Sequence, residues 1–289
     1  MQARRFLLVF FLLLLITLPA AGALPLWEIQ GTDNRIRLLG SVHFLRQQDF
    51  PLPPAIMDAY HDADVIVMEL DLDALDPMET LETMQRLSID PRGRNLESLL
   101  GARDYEQAHE LAAGLGIDLA AFMPYEPWFA ALQITQLRLM QLGFDGSFGV
   151  DAYLSRQAVQ DGKEIRGLET LEFQLDSMDS LPPKAQSEFL RQTLEDAADV
   201  EEIMDGVVKA WKAGDTSTLQ TDLMDGLDEQ PELYERLLVQ RNNNWAASIL
   251  ELTDDSQDYL IVVGTLHLVG DDSLLRLIED AGHPTRQLK

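Results

Sequence analysis

The chain has 289 residues, 46% of them hydrophobic, no cysteine and a formal charge of −27. That length and apolar content support one large domain or two small ones with a real core. Without cysteine there is no disulfide framework, no thiolate zinc site and no lipid-modified cysteine, so any metal has to be held by His, Asp or Glu. An acidic surface with few lysines and no Lys/Arg cluster repels phosphate backbones and anionic head groups, which argues against nucleic acid as a partner.

Met1 to Ala23 reads as a secretory signal, with Arg4 and Arg5 as a basic start, an apolar core from Phe6 to Leu18, and Ala21-Gly22-Ala23 as a small-residue cleavage site. The core is shorter than the about 20 apolar residues of a spanning helix. The reading is therefore cleavage after Ala23, a periplasmic or secreted protein, and no stable membrane insertion afterwards. An uncleaved anchor, lengthened through Leu24 to Leu26, is the alternative. Removing Arg4 and Arg5 from the −27 leaves the exported chain, residues 24–289, at −29.

Leu26 to Ile29 and Arg35 to Leu39 read as short strands joined by the turn Gly31-Thr32-Asp33-Asn34, the second running into Gly40. Pro53 and Pro54 open a helix from about Ala55 to His61, and Val65 to Leu70 is apolar without alternation, as in a strand covered on both faces. From Asp76 to about Asp254 the spacing is helical, interrupted by one strand at Glu164 to Gly167. Candidate helices are 104–115, 126–142, 151–160, 184–213 and 231–251. Tyr259 to Val263 repeats the unalternating strand, and a helix follows from Asp271 to Ala281. The expected fold class is α/β. A central, mostly parallel sheet would come from a pseudo-twofold pair of strand, Gly-x-x-His, helix units, with a large helical insertion at about 76–254.

Two tetrapeptides carry the functional signal: Gly40-Ser41-Val42-His43 and Gly264-Thr265-Leu266-His267. Each puts a histidine just past the end of a strand, where open α/β sheets bind their ligands. The glycine supplies free backbone dihedrals or close approach of another backbone. If the two strands are neighbours, the histidines share one metal or acid/base centre. Glu69 is the third member, because a carboxylate ending a buried run is costly unless a cation, a metal or hydrogen bonds compensate it. Two neutral imidazoles and a carboxylate suit Zn²⁺, Mn²⁺, Co²⁺ or Fe²⁺ with water completing the shell. The structural alternative for Glu69 is a salt bridge to an arginine. His61, His109 and His283 read as surface residues, since His109-Glu110 lacks the following histidine of the helical zinc-protease motif.

Gly40-Ser-Val-His43, the strand ending in Glu69, Gly149-Val-Asp151, Gly167-Leu-Glu169-Thr170 with Gln174, Arg241-Asn242-x-x-Trp245 and Gly264-Thr-Leu-His267 together resemble the TraB/GumN family, which includes the TIKI metalloproteases of animals. The ordered set covers nearly the whole exported chain. The resemblance implies a fold similar to the erythromycin-esterase and ChaN group. It also implies a divalent-metal hydrolase centre at His43, Glu69 and His267, with Arg241 and Asn242 lining the same cleft. By their chemistry Arg241 and Asn242 suit stabilising an oxyanion or orienting a substrate carbonyl, or they are solvated on an amphipathic helix. Asp151 reads as the N-cap of the helix it begins, and Glu169 as a carboxylate favoured by a helix dipole.

The functional expectation is an exported, metal-dependent hydrolase of a peptide or small-molecule substrate, with a Mn, Co, Zn or Fe ion at His43, Glu69 and His267. Two others stay open: a metal-free esterase-type enzyme with His43 as general base and Glu69 orienting it, and a non-catalytic peptide- or ligand-binding regulator.

Overall fold

The computed structural model describes residues 23–224, 227 and 230–289. The expected signal lies outside them except for Ala23, and Leu26 belongs to the first strand rather than to a lengthened anchor. Among the described residues no helix is long and apolar enough to cross a membrane.

Among the described residues six strands form one sheet: β1 Leu26–Ile29, β2 Ile36–Ser41, β3 Val65–Met68, β4 Glu164–Gly167, β5 Tyr259–Gly264 and β6 Thr285–Gln287, in the order β4-β3-β5-β2-β1-β6. β4, β3, β5 and β2 run parallel, while β1 is antiparallel to both β2 and β6. The α/β, mostly parallel architecture expected from the sequence is the one present.

The unalternating apolar strands follow from cover on both faces. Ile66, Met68, Leu260 and Val262 face a core closed by helices α1 Pro54–Asp62, α6 Val150–Asp161 and α9 Val200–Ala213. Val65, Val67, Tyr259, Ile261 and Val263 face the opposite core, closed by α12 Gln240–Glu251 and α13 Leu274–Asp280. The remaining helices are α2 Pro77–Ser88, α3 Leu96–Leu100, α4 Ala102–Gly114, α5 Pro127–Gln141, α7 Leu171–Asp179, α8 Pro183–Asp196, α10 Thr216–Met224 and α11 Pro231–Tyr234. They pack mostly on one another over the carboxyl ends of the parallel strands, with two further apolar clusters of their own.

Several expected boundaries move. The helix expected at 184–213 is two, broken at Ala197 to Asp199, and the one expected at 231–251 is interrupted by a π-helical turn, Glu235–Val239. β2 runs through Gly40 to Ser41 instead of stopping at Leu39, and β3 stops at Met68, so Glu69 and Leu70 lie beyond the strand. β6 has no signature in the sequence, since three residues at a sheet edge carry no periodic signal.

Candidate active site

Because β4, β3, β5 and β2 are parallel, their carboxyl ends share one edge. Glu169, Glu69, Gly264 and His43 follow the ends of these strands in that spatial order. The backbone ladder continues a little past the strands, with Leu168 N–H donating to Met68 O (2.8 Å) and Glu169 N–H to Glu69 O (3.1 Å). Those bonds set the two glutamates side by side.

Glycines bordering these side chains leave room for close approach. A Cβ on Gly40 would stand 2.7 Å from Thr265 Oγ1, and one on Gly264 would stand 3.3 Å from both Glu69 Oε1 and His43 Nε2. Neither glycine has a positive φ, and Gly264 has φ −53°. Of the two reasons for glycine given by the sequence, close approach is therefore the operative one. The turns also differ: Gly40 lies inside β2 opposite Val263, whereas Gly264 pairs with Ser41 and starts the 3₁₀ turn Thr265–Leu268. Trp211 Nε1 donates to Gly40 O (2.7 Å) and Thr265 Oγ1 to Ser41 O (2.9 Å), fastening the first motif. A Cβ on Gly149 would meet His43 O at 2.4 Å. Its absence lets Val150 N–H reach Val42 O (3.0 Å) and brings Asp151 beside His43.

His43, Glu69 and His267 converge. His43 Nε2 is 4.0 Å from Glu69 Oε1, and its Nδ1 faces Asp151 Oδ2 at 3.1 Å. Asp151 is thus not the N-cap, a place held by Gly149, but a partner of His43 from the first turn of α6. Glu69 Oε1 accepts the Gly264 N–H (2.6 Å), and Oε2 accepts from Arg241 Nη2 (2.7 Å) and Gln174 Nε2 (3.4 Å). The salt bridge offered as the structural alternative for Glu69 is present, and its arginine is Arg241.

Arg241 is buried, and its donors are already engaged. Nε and Nη2 hold Glu169 at 2.8 to 3.2 Å, and Nη1 donates to Leu237 O (3.2 Å) and to His267 Nε2 (3.3 Å). The guanidinium also lies over the Trp245 ring, 4.5 Å from its centroid. Glu169, beside the helix start as expected, is held by Arg241 and by Trp245 Nε1 (3.1 Å) rather than by a dipole alone. Asn242 is buried too: Nδ2 donates to Asp272 O (2.8 Å) and Oδ1 meets His267 Nδ1 at 2.6 Å. Neither side chain is free on a helix face; Arg241 fixes Glu69 and Glu169, and Asn242 fixes His267.

This network sets protonation. Arginine can only donate, so His267 Nε2 accepts and the ring proton sits on Nδ1, facing Asn242. Burial holds the His267 pKa down to about 3, the pull of Glu69 being offset by Arg241 and His43, so this imidazole is neutral. His43 is the opposite case. Burial opposes its charge, but Asp151 and Glu69 outweigh burial and raise it to about 9. Burial likewise works against the Glu69 carboxylate, while His267, His43, Arg241 and the Gly264 amide hold it down at about 2. Desolvation pushes Glu169 up, against Arg241.

The donor chemistry suits a divalent ion, since both imidazoles anchor Nδ1 on an acceptor, with His43 Nε2 facing Glu69 and His267 Nε2 facing Arg241. The placement does not fit one. Arg241 stands against both Glu69 and His267 where a cation would have to bind, and no group of three or more His, Cys, Asp or Glu among the described residues is arranged to hold a metal.

Two cavities meet at this edge. One, of about 300 Å³, is bordered by Asp151, Leu70 and Leu72. The other, of about 490 Å³, is roofed by apolar side chains of the helical insertion. Ser41, His43, Glu69 and Gln174 line both. The surface readings hold for His61 and His109, which are exposed, while His283 is half-buried in its turn before Pro284.

The chain is 24% identical over 256 residues to an uncharacterized protein, YbaP, of Escherichia coli (strain K12), covering 88% of this chain and 92% of that one. The figures are the same for YbaP of Shigella flexneri. An uncharacterized protein of Treponema pallidum (strain Nichols) is 20% identical over 297 residues, covering 93% of this chain and 89% of that one. No solved structure matches. A family model, the TraB/PrgY/gumN family, matches residues 25–287, and the chain belongs to that family.

Proposed function

We propose that this is an exported hydrolase of carbonyl substrates, peptide bonds first, with Glu69 as general base and His43 as general acid. The observation that carries the reading is the facing pair itself: His43 Nε2 stands 4.0 Å from Glu69 Oε1, Asp151 backs the imidazole, and Arg241 and the Gly264 amide back the carboxylate, surroundings that hold His43 up at about 9 and Glu69 down at about 2. Environments that push paired groups apart in pKa define acid and base roles. Between those values Glu69 is a carboxylate with lone pairs left beyond its protein donors, and His43 an imidazolium with Nε2–H turned to the cavity. In the reaction water adds its oxygen to the carbonyl carbon and gives a proton to Glu69. The bond to the leaving nitrogen or oxygen then breaks as His43 Nε2 protonates it, and the proton on Glu69 returns to His43. A carboxylate of such low pKa is a weak base, so position has to supply much of the rate.

A metal-dependent form of the same activity is the second reading, favoured by the anchored Nδ1 atoms of both imidazoles and requiring Arg241 to release Glu69 and His267. Elemental analysis of protein purified without chelator or histidine tag separates the two. The hydrolase reading itself is tested by turnover of a quenched fluorescent peptide library. Glu69→Gln keeps the shape of the side chain but cannot take a proton, so turnover should vanish with the fold intact. Full activity of Glu69→Gln, or no turnover by the unaltered protein, would overturn it.

A further inference from the structure

The larger cavity is sharply divided in chemistry. At its sheet end stand Ser41, His43, Glu69, Gln174, Arg241 and His267, and the rest of its wall, Thr265 apart, is apolar. That wall is assembled from five helices of the insertion: Leu132 on α5, Leu175 and Met178 on α7, Phe189 on α8, Met204 on α9 and Leu223 on α10. A core formed by these helices would close on itself, yet here they stand apart over a space of about 490 Å³ that opens onto the catalytic edge. At about 30 Å³ for a water-sized group, it admits a chain on the order of a dozen heavy atoms. Ligand sites have this build, a mainly apolar wall with a few polar groups gathered at one point.

The polar end carries a second mark of a ligand. The Ser41 hydroxyl is buried and has no hydrogen-bond partner among the described residues, although Ser41 lines both cavities beside His43. Buried hydroxyls are ordinarily paired, and this one stands unpaired in the wall that Ser41 shares with His43 and Glu69.

From this cavity we infer that the substrate carries an extended apolar group, an aliphatic acyl chain or a large apolar side chain next to its carbonyl, and that the helical insertion is the element that selects it. The scissile carbonyl lies at Ser41 and His43, the apolar group fills the larger cavity, and the leaving part exits through the smaller one beside Asp151. The inference rests on the hydrolase reading for the word substrate; the apolar selection stands on the cavity alone.

The test is binding, which needs no turnover. By calorimetry, n-octanamide should bind at least about a hundredfold more tightly than acetamide, since each buried methylene is worth about a factor of four. Met204→Trp and Leu132→Trp, which fill the cavity without touching the catalytic edge, should each weaken octanamide more than tenfold and leave acetamide unchanged. Two positions on different helices guard against one that misfolds, and thermal melts identify it. Equal affinity for the two amides, or octanamide affinity unchanged in both folded variants, would overturn the inference. A series of p-nitrophenyl esters from acetate to octanoate keeps the two readings apart. Chain-length selection in binding with no ester turned over removes the hydrolase reading only, whereas turnover indifferent to chain length removes the apolar pocket only.

Discussion

Arg241 is the residue whose loss the geometry prices most clearly. Its guanidinium lies between Glu69 and Glu169, whose side chains are 13% and 3% exposed, and is itself 6% exposed. Arg241→Met keeps the apolar stem and removes the charge, leaving two carboxylates side by side in a site that excludes most water. Breaking a buried pair in this way costs about 3 to 5 kcal/mol, because an uncompensated charge remains. In a chain of this size that lowers the melting temperature by roughly 6 to 10 °C, at about 2 °C per kcal/mol.

The pH dependence supplies the discriminating sign. In the unaltered protein the folded-state pKa of Glu69 is depressed, so its contribution is present above the ordinary carboxylate value of 4.5 and is lost only as pH falls through about 2. In Arg241→Met the neighbouring carboxylates are raised instead, Glu169 first because burial already pushes it up. Its folded state then binds more protons than its unfolded state as pH falls, and the variant gains on the unaltered protein. Urea melts at pH 7 and pH 5 should therefore show a large gap at the higher pH and a smaller one at the lower, and Glu169→Gln added to Arg241→Met should narrow the gap at pH 7. A variant within about 1 kcal/mol of the unaltered protein at pH 7, or a gap that does not change with pH, would refute the reasoning.

If His43 acts as an acid, turnover should fall as pH rises through about 9, and Asp151→Asn should move that alkaline limb down toward the ordinary histidine value of 6.5; a pH–rate profile unmoved by Asp151→Asn removes the pairing from the mechanism. The matching stability term, with the folded pKa raised, is full below 6.5 and is lost through about 9, and it should be small because half of the ring is exposed (51%). Gly40→Ala places a methyl 2.7 Å from Thr265 Oγ1 and 3.2 Å from its Cα, so denaturant melts should show a loss of about 1 to 3 kcal/mol. Gly264→Ala meets side-chain tips at 3.3 Å, which can shift, so turnover should suffer more than stability; two silent variants would return both glycines to coincidence. Asn242→Asp sets a carboxylate on the Nδ1 side of His267 and should lift its pKa from about 3, read by ¹⁵N NMR of the ring; an unchanged titration would show that Asn242 does not govern this imidazole.

The sequence showed the strands that are apolar throughout, and the reason is now visible: Leu260 and Ile261, one residue apart, feed cores on opposite faces. It showed His43, Glu69 and His267 because each breaks an apolar run at the same edge, a local signal. The N-cap reading of Asp151 fails and the dipole reading of Glu169 is incomplete because a carboxylate near a helix start has a sufficient local explanation, and nothing local reveals the partner across the sheet. Each acid follows a glycine by two residues, and a Cβ on those glycines would crowd Glu69's neighbourhood or His43 itself, at 3.1 Å from Asp71 N for Gly167 and 2.4 Å from His43 O for Gly149.

Glycine in this site is thus a mark of where backbones must touch so that charged side chains can meet. Gly40 and Gly149 fasten His43 and its acid, Gly167 brings Glu169 beside Glu69, and Gly264 gives Glu69 an amide. The apolar cavity had no such mark, since Leu132, Met178, Phe189 and Met204 sit at ordinary helical spacing and read as core. A side chain that lines a binding space and one that fills a core obey the same periodicity, and only the distance between the helices tells them apart. The polar edge could be inferred from breaks in a pattern; the pocket above it required the packing itself.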